Sequence, residues 1–204
     1  MATNNVSTFL QTIGQGVKPN MFMVDIVFPD EIALQTEDKQ LTDILCKSAA
    51  LPGSNLGVIE VPFRGRTVKI AGDRTFDTWS ATFFNDKDFK LRSFFEQWAN
   101  SINTHEGNTA PLFTPSSTTG YMASLAVHQL EKDASVGGSK LRTYNLVHCF
   151  PTNVSPIDLA YDSNDQISEF TVEFQLSYWT AEKGSAGAGP NVPSAGHNAS
   201  STTT

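Results

Sequence analysis

The chain has 204 residues, and 17% of them are charged, against about 25% in an ordinary soluble protein. That length fits one well-buried domain of roughly 100 to 200 residues. The shortage of charge points to surface buried between subunits, a stable monomer with a neutral polar surface being the alternative. With 14 Lys and Arg against 21 Asp and Glu, the net charge of −7 disfavours a surface built to grip phosphates, because such grip needs clustered cations that release counterions.

The start, MATNNVSTFLQTIGQG, lacks the basic and apolar regions of a signal peptide, and no stretch approaches the roughly 20 apolar residues that span a bilayer. Synthesis in the cytoplasm and no direct membrane insertion are therefore expected. Residues 1–17 read as an N-terminal arm. Residues 21–28, bounded by Pro19 and Pro29, place Phe22, Val24, Ile26 and Phe28 on one face of a mostly buried strand. Residues 56–61 and 66–70 flank Pro62-Phe63-Arg64-Gly65, a reversal that joins two β-rich segments into a hairpin or extended loop with basic exposed chemistry.

From Asp77 to Phe83 the alternation sets Asp77, Trp79, Ala81 and Phe83 against Thr78, Ser80 and Thr82. Asn85, Asp86 and Asp88 then offer acceptors for a helix start. Leu91, Phe94, Phe95, Trp98 and Ile102 form one apolar stripe of a helix over residues 89–103. Residues 104–120 read as a loop, and residues 121–132 and 139–150 as a long hairpin around Gly137-Gly138. One last strand sets Phe170, Val172, Phe174, Leu176 and Tyr178 against Glu169, Thr171, Glu173, Gln175 and Ser177. Residues 184–204, rich in Gly, Ser and Thr, form an extension whose composition cannot order it; neighbours would have to supply that order.

Several strands, one helix and no βαβ alternation predict a mainly β domain over residues 18–183. The expected fold is an antiparallel β-sandwich or open barrel with one flanking α-helix.

No catalytic constellation emerges. His105, His128, His148 and His197 lack partners at metal-ligand spacing, and there is no nucleophile elbow, phosphate loop or dinucleotide fingerprint. Glu169 and Glu173 share a strand face and do not converge across a cleft. Cys46 and Cys149 read as reduced, semi-buried thiols in strands, although a disulfide between them stays open. No cofactor, metal or enzymatic activity is expected.

A series of motifs carries a resemblance. Cys46-Lys47 precedes Leu51-Pro52 and Val61-Pro62, followed by Ala71-Gly72-Asp73-Arg74-Thr75-Phe76-Asp77, Trp79 and Asn85-Asp86. Later come Phe150-Pro151-Thr152-Asn153-Val154, Tyr161-Asp162-Ser163-Asn164, Glu169-Phe170-Thr171-Val172 and Tyr178-Trp179. In this order, over roughly residues 18 to 180, they resemble the tail tube proteins of contractile-tailed bacteriophages, the T4-like tail tube family.

The resemblance implies a structural virion protein. Its copies would form stacked, hexameric rings, one sheet of each joining its neighbours into a β-barrel around a channel for genome ejection. It implies as partners other copies of the chain, the tail sheath, and baseplate and tail terminator proteins, with genomic DNA passing without specific binding. The segment between Cys46 and Asp73 is the loop expected to reach an adjacent subunit or ring. Arg64, Arg66, Lys69, Asp73 and Arg74 would mark that contact, the arginines meeting acidic surface on another copy, with a solvated hairpin or a nucleic-acid patch as the alternatives. Thr78, Ser80 and Thr82 with Glu169, Thr171, Glu173 and Gln175 are the residues expected to line the lumen, outer solvent being the rival placement. Inner tubes of type VI or extracellular contractile injection systems are an alternative. A monomeric small-ligand-binding β-barrel is an alternative of another class.

Overall fold

The computed structural model describes residues 5–14, 16–29, 32, 41–110, 120–131 and 140–183. The C-terminal extension at 184–204, the end of the loop at 111–119 and the Gly137-Gly138 turn lie outside them.

The chain begins with helix α1 (Val6–Ile13), a feature the sequence reading left as an arm. Asn5 caps it, its side-chain oxygen accepting from the Thr8 amide at 2.9 Å. Val6, Phe9, Leu10 and Ile13 line one exposed face. Strand β1 (Phe22–Val27) and the short α2 (Leu41–Ile44) follow. Next come β2 (Cys46–Ala49), β3 (Asn55–Phe63), β4 (Arg66–Thr75) and β5 (Trp79–Phe84). Helix α3 (Lys90–Ile102) and strands β6 (Ala123–Leu130), β7 (Lys140–Val154), β8 (Glu169–Gln175) and β9 (Tyr178–Lys183) complete the domain.

Strand β7 is the spine. Its first part pairs antiparallel with β6 on one side and β9 on the other, and β6 pairs with β1. From Phe150 onward it pairs with β8, which pairs with β5, which pairs with β2. The result is two antiparallel sheets sharing one long strand, open rather than closed into a barrel.

The expected single last strand is a correction. It breaks at Leu176-Ser177, where the Ser177 amide donates to the Val147 carbonyl at 3.1 Å, and the chain crosses from one sheet to the other. His148, at φ 56°, bends β7 at the same level. Phe170, Val172, Phe174 and Leu176 stay buried, but Tyr178 lies past the break and is exposed. The alternation reports burial on one face and is blind to which partner strand supplies the ladder.

Helix α3 closes the core. Its stripe buries Leu91, Phe95 and Trp98, with Phe94 and Ile102 half-buried. The Phe95 ring lies 5.4 Å from Phe28 and from Phe83, and 5.9 Å from Phe174, so one side chain joins both sheets. The helix start is less direct than expected. Phe89 occupies the cap position in a left-handed conformation without a side-chain cap, and Asp86 reaches the Lys90 and Leu91 amides at 3.2 and 3.4 Å.

Candidate assembly surfaces

Strands β3 and β4 form a two-stranded sheet of their own, joined by Arg64-Gly65 at φ 44° and 81°. Two successive positive φ values are the geometry of the tightest hairpin turn, whose twist matches that of its strands. At nine residues, β3 extends about 30 Å. Every residue of the two strands is exposed except Gly72, so the hairpin projects from the body. Its base is tied down. Trp79 Nε1–H donates to the Ala50 carbonyl at 2.6 Å, Trp179 Nε1–H to Gly53 at 2.9 Å, and the Asn55 amide to Asp77 at 2.7 Å. Near the base the strands approach so closely that a Cβ on Gly72 would lie 3.1 Å from the carbonyl carbon of Gly57.

The structure divides the basic cluster. Arg64 sits in the turn and Arg66 opposite Phe63, both at the tip. Lys69 lies opposite Glu60 on the other face, its ammonium 3.4 Å from that carboxylate. Arg74, opposite Leu56, and Asp73 are at the base, more than 20 Å away by strand rise. The expectation that the hairpin's exposed chemistry is basic also needs correction. Ile59, Val61 and Phe63 stand beside Val68 and Ile70 on one exposed face, and Phe63 is 62% accessible. Period-two alternation in both strands marks this apolar face in the sequence, beside the cations of the turn.

The second surface is the polar face of the β7–β8–β5–β2 sheet. The register sets Ser80 opposite Glu173, Thr82 opposite Thr171 and Phe84 opposite Glu169. The Thr82 and Thr171 hydroxyls are 3.0 Å apart. Ser48 and Asn153 extend the same polar face onto the flanking strands, opposite Thr82 and Glu173. Gln175 is half-buried at the end of β8, and Thr78 is exposed just before β5. The predicted residues are therefore brought onto one face. Sequence reasoning missed Lys47, which pairs with Glu169 and leaves Glu173 as the exposed acid of the sheet centre. Among the described residues, β2 and the Phe150–Val154 part of β7 have no partner on their outer sides.

At one end of this sheet, residues 156–168 leave β7 and return to β8. The Ser155 amide donates to Thr171 at 2.8 Å and the Asn85 amide to Ser168 at 2.9 Å, closing the loop's base. The loop and Lys47 bound an open cavity of about 1100 Å³.

The remaining titratable groups read as structure. His128, buried in β6, has Nε2 2.9 Å from Asp25 and 3.2 Å from Lys140, and Nδ1 2.8 Å from the Thr143 hydroxyl. This histidine hydrogen bond holds the Asp25 carboxyl below its ordinary value, against the opposing effect of burial. Asp43 is pushed up by burial and then by Asp25. Cys46 and Cys149 are free thiols on β2 and β7, each raised to about 12 by burial.

Residues 17–182 match the family model described as phage tail tube protein. The tail tube protein gp19 of Enterobacteria phage T4 is 34% identical over 166 residues, covering 81% of this chain and 92% of the relative. A tail tube protein of Serratia phage KSP90 is 27% identical over 182 residues, covering 89% and 97%. In fold, the chain is similar to one from the sheath–tube complex of the PVC extracellular contractile injection system in its extended state. That similarity has a TM-score of 0.58 at 14% identity, covering 89% of this chain and 99% of that one. A chain of the anti-feeding prophage baseplate gives 0.56 at 14% identity, covering 79% and 92%. On the extent of the matched residues, the chain belongs to the phage tail tube protein family.

Proposed function

We propose that this chain is the structural subunit of the inner tube of a contractile phage tail, residing in the virion tail. The observation that carries the reading is a sheet with one polar face and two open edges. An unpaired edge is a template for another strand, and joining edge to edge around an axis removes every edge at once. With the apolar face packed against α3, only the Ser80, Thr82, Thr171 and Glu173 face is left for a lumen. Rings built this way, hexameric by the family resemblance, stack into a tube. Glu173 repeated around the channel disfavours the cationic contacts through which DNA sticks. Lys47, by neutralising Glu169, confines that charge to the middle of the sheet.

The phage branch is favoured over an injection-system tube by 34% identity to a phage tube protein, against 14% to 17% to injection-system chains. A monomeric ligand-binding barrel is disfavoured because the interior is filled by the rings of Phe28, Phe83, Phe95 and Phe174. Sheath, baseplate and terminator proteins are the partners this role requires, and the fold's likeness to chains of a sheath–tube complex and a baseplate supports them. The exposed hairpin, with Arg64 and Arg66 at its tip, is the element that reaches a neighbouring copy.

Sedimentation and negative-stain microscopy of the purified protein, with an initiating ring supplied, test the proposal. Rings or tubes are expected. A species that stays monomeric at high concentration in the presence of the initiator would overturn it.

A further inference from the structure

The hairpin and the 156–168 loop lie at opposite ends of the same sheet. The hairpin leaves the body between the end of β2 and the start of β5, next to the end of β8. The loop joins the end of β7 to the start of β8, beside the end of β5. Strand β5, six residues long, sets these ends about 20 Å apart. Two different surfaces at opposite ends of one subunit form a heterologous, head-to-tail contact when copies repeat along an axis.

Their chemistry is complementary. The loop carries Asp158, Asp162 and Asp165 and no Lys or Arg, while the hairpin between Glu60 and Asp73 carries Arg64, Arg66 and Lys69 and no acid. Both also present apolar surface that their own copy does not cover. Leu159 is 89% accessible, Tyr161 is fully exposed and Ile167 is exposed, around an open cavity large enough to admit a hairpin tip. On the hairpin, Phe63 and Val61 end an exposed apolar face. A single aromatic on a surface is ordinary; two apolar patches at opposite ends of one sheet, one bordered by cations and the other by acids, have the complementarity of an interface.

We propose that the cavity behind residues 156–168 is the socket for the hairpin tip of a copy in the next ring. Phe63 enters among Leu159, Tyr161 and Ile167, while Arg64 and Arg66 meet Asp158 and Asp162. The apolar contact supplies the burial. The charges set register and reject the inverted stacking, in which two acidic loops would face each other. This rests on the tube reading and adds the receiving surface to it.

The test is a photo-crosslink with p-benzoyl-phenylalanine placed at Tyr161 in the otherwise unaltered chain, irradiated in assembled tubes and mapped by mass spectrometry. Crosslinks to residues 61–68 are expected, and they join different copies, because within one copy the hairpin and the loop leave opposite ends of β5, about 20 Å apart. Tubes whose crosslinks fall elsewhere would overturn the socket and leave the tube reading standing. Unaltered protein that never assembles on an initiating ring would overturn both.

A charge swap reads the pairing independently. Arg64→Glu with Arg66→Glu, and separately Asp158→Arg with Asp162→Arg, should each cut the polymerised fraction roughly tenfold or more. All four together should restore it. A folded quadruple variant, verified by circular dichroism, that still fails to assemble would overturn the pairing.

Discussion

Phe95 holds the two sheets to one helix, and among the described residues no other ring lies against Phe28, Phe83, Phe170 and Phe174 together. Replacing it with Ala leaves a cavity that the flanking strands cannot close, and should cost about 3–5 kcal/mol. Urea unfolding of the unassembled subunit measures this, and a loss below about 1 kcal/mol would mean the sheets repack without it. Asp25 offers a second test at this scale. Its folded pKa lies below 3.8, so the stability from the His128 contact is fully present above that value and is lost as pH falls through the lower folded one. The gap in stability between the native chain and Asp25→Asn should therefore narrow steadily below about pH 4. A gap independent of pH would contradict it. Cys46 and Cys149, raised to about 12, should react far more slowly with a thiol reagent near neutral pH in the native subunit than in urea. Rapid native labelling would contradict their burial.

At the scale of elements, the hairpin is separable from the body because none of its large side chains enters the core. Replacing residues 55–75 with a short Gly-containing turn should leave the thermal unfolding of the subunit nearly unchanged and abolish tube formation. Unfolding of the body would show that the hairpin carries stability the structure does not assign to it. Gly72→Ala is a milder probe, since its Cβ meets backbone on Gly57 and can only push the strands apart.

Strand identity, the α3 stripe and the polar face over β5 and β8 were legible in the sequence, because period two and the helical spacing report burial directly. Three features were not. The break at Leu176-Ser177 depends on β7 serving two sheets, and alternation carries no trace of it. The apolar face of Ile59, Val61 and Phe63 looks like an ordinary buried strand face, and only the structure shows that nothing in the same copy covers it. Helix α1 lies ahead of the matched residues 17–182, where the motif series gave no guide.

Among the described residues the molecule has open sides: the outer edges of β2 and of the Phe150–Val154 part of β7 are unpaired, and a hairpin and a loop leave opposite ends of one sheet. In the proposed tube the edges would meet lateral neighbours, and the hairpin and loop axial ones. The polar residues Ser48, Thr82, Thr171, Glu173 and Asn153 share one face across four strands, the arrangement the proposed lumen would need. Cryo-electron microscopy of assembled tubes tests this most directly. Ser80, Asn153 and Glu173 should point at the tube axis, with β2 of each copy laddered to the Phe150–Val154 part of β7 in the next. Tubes in which that face looks outward, or in which those two edges remain unpaired, would contradict the account.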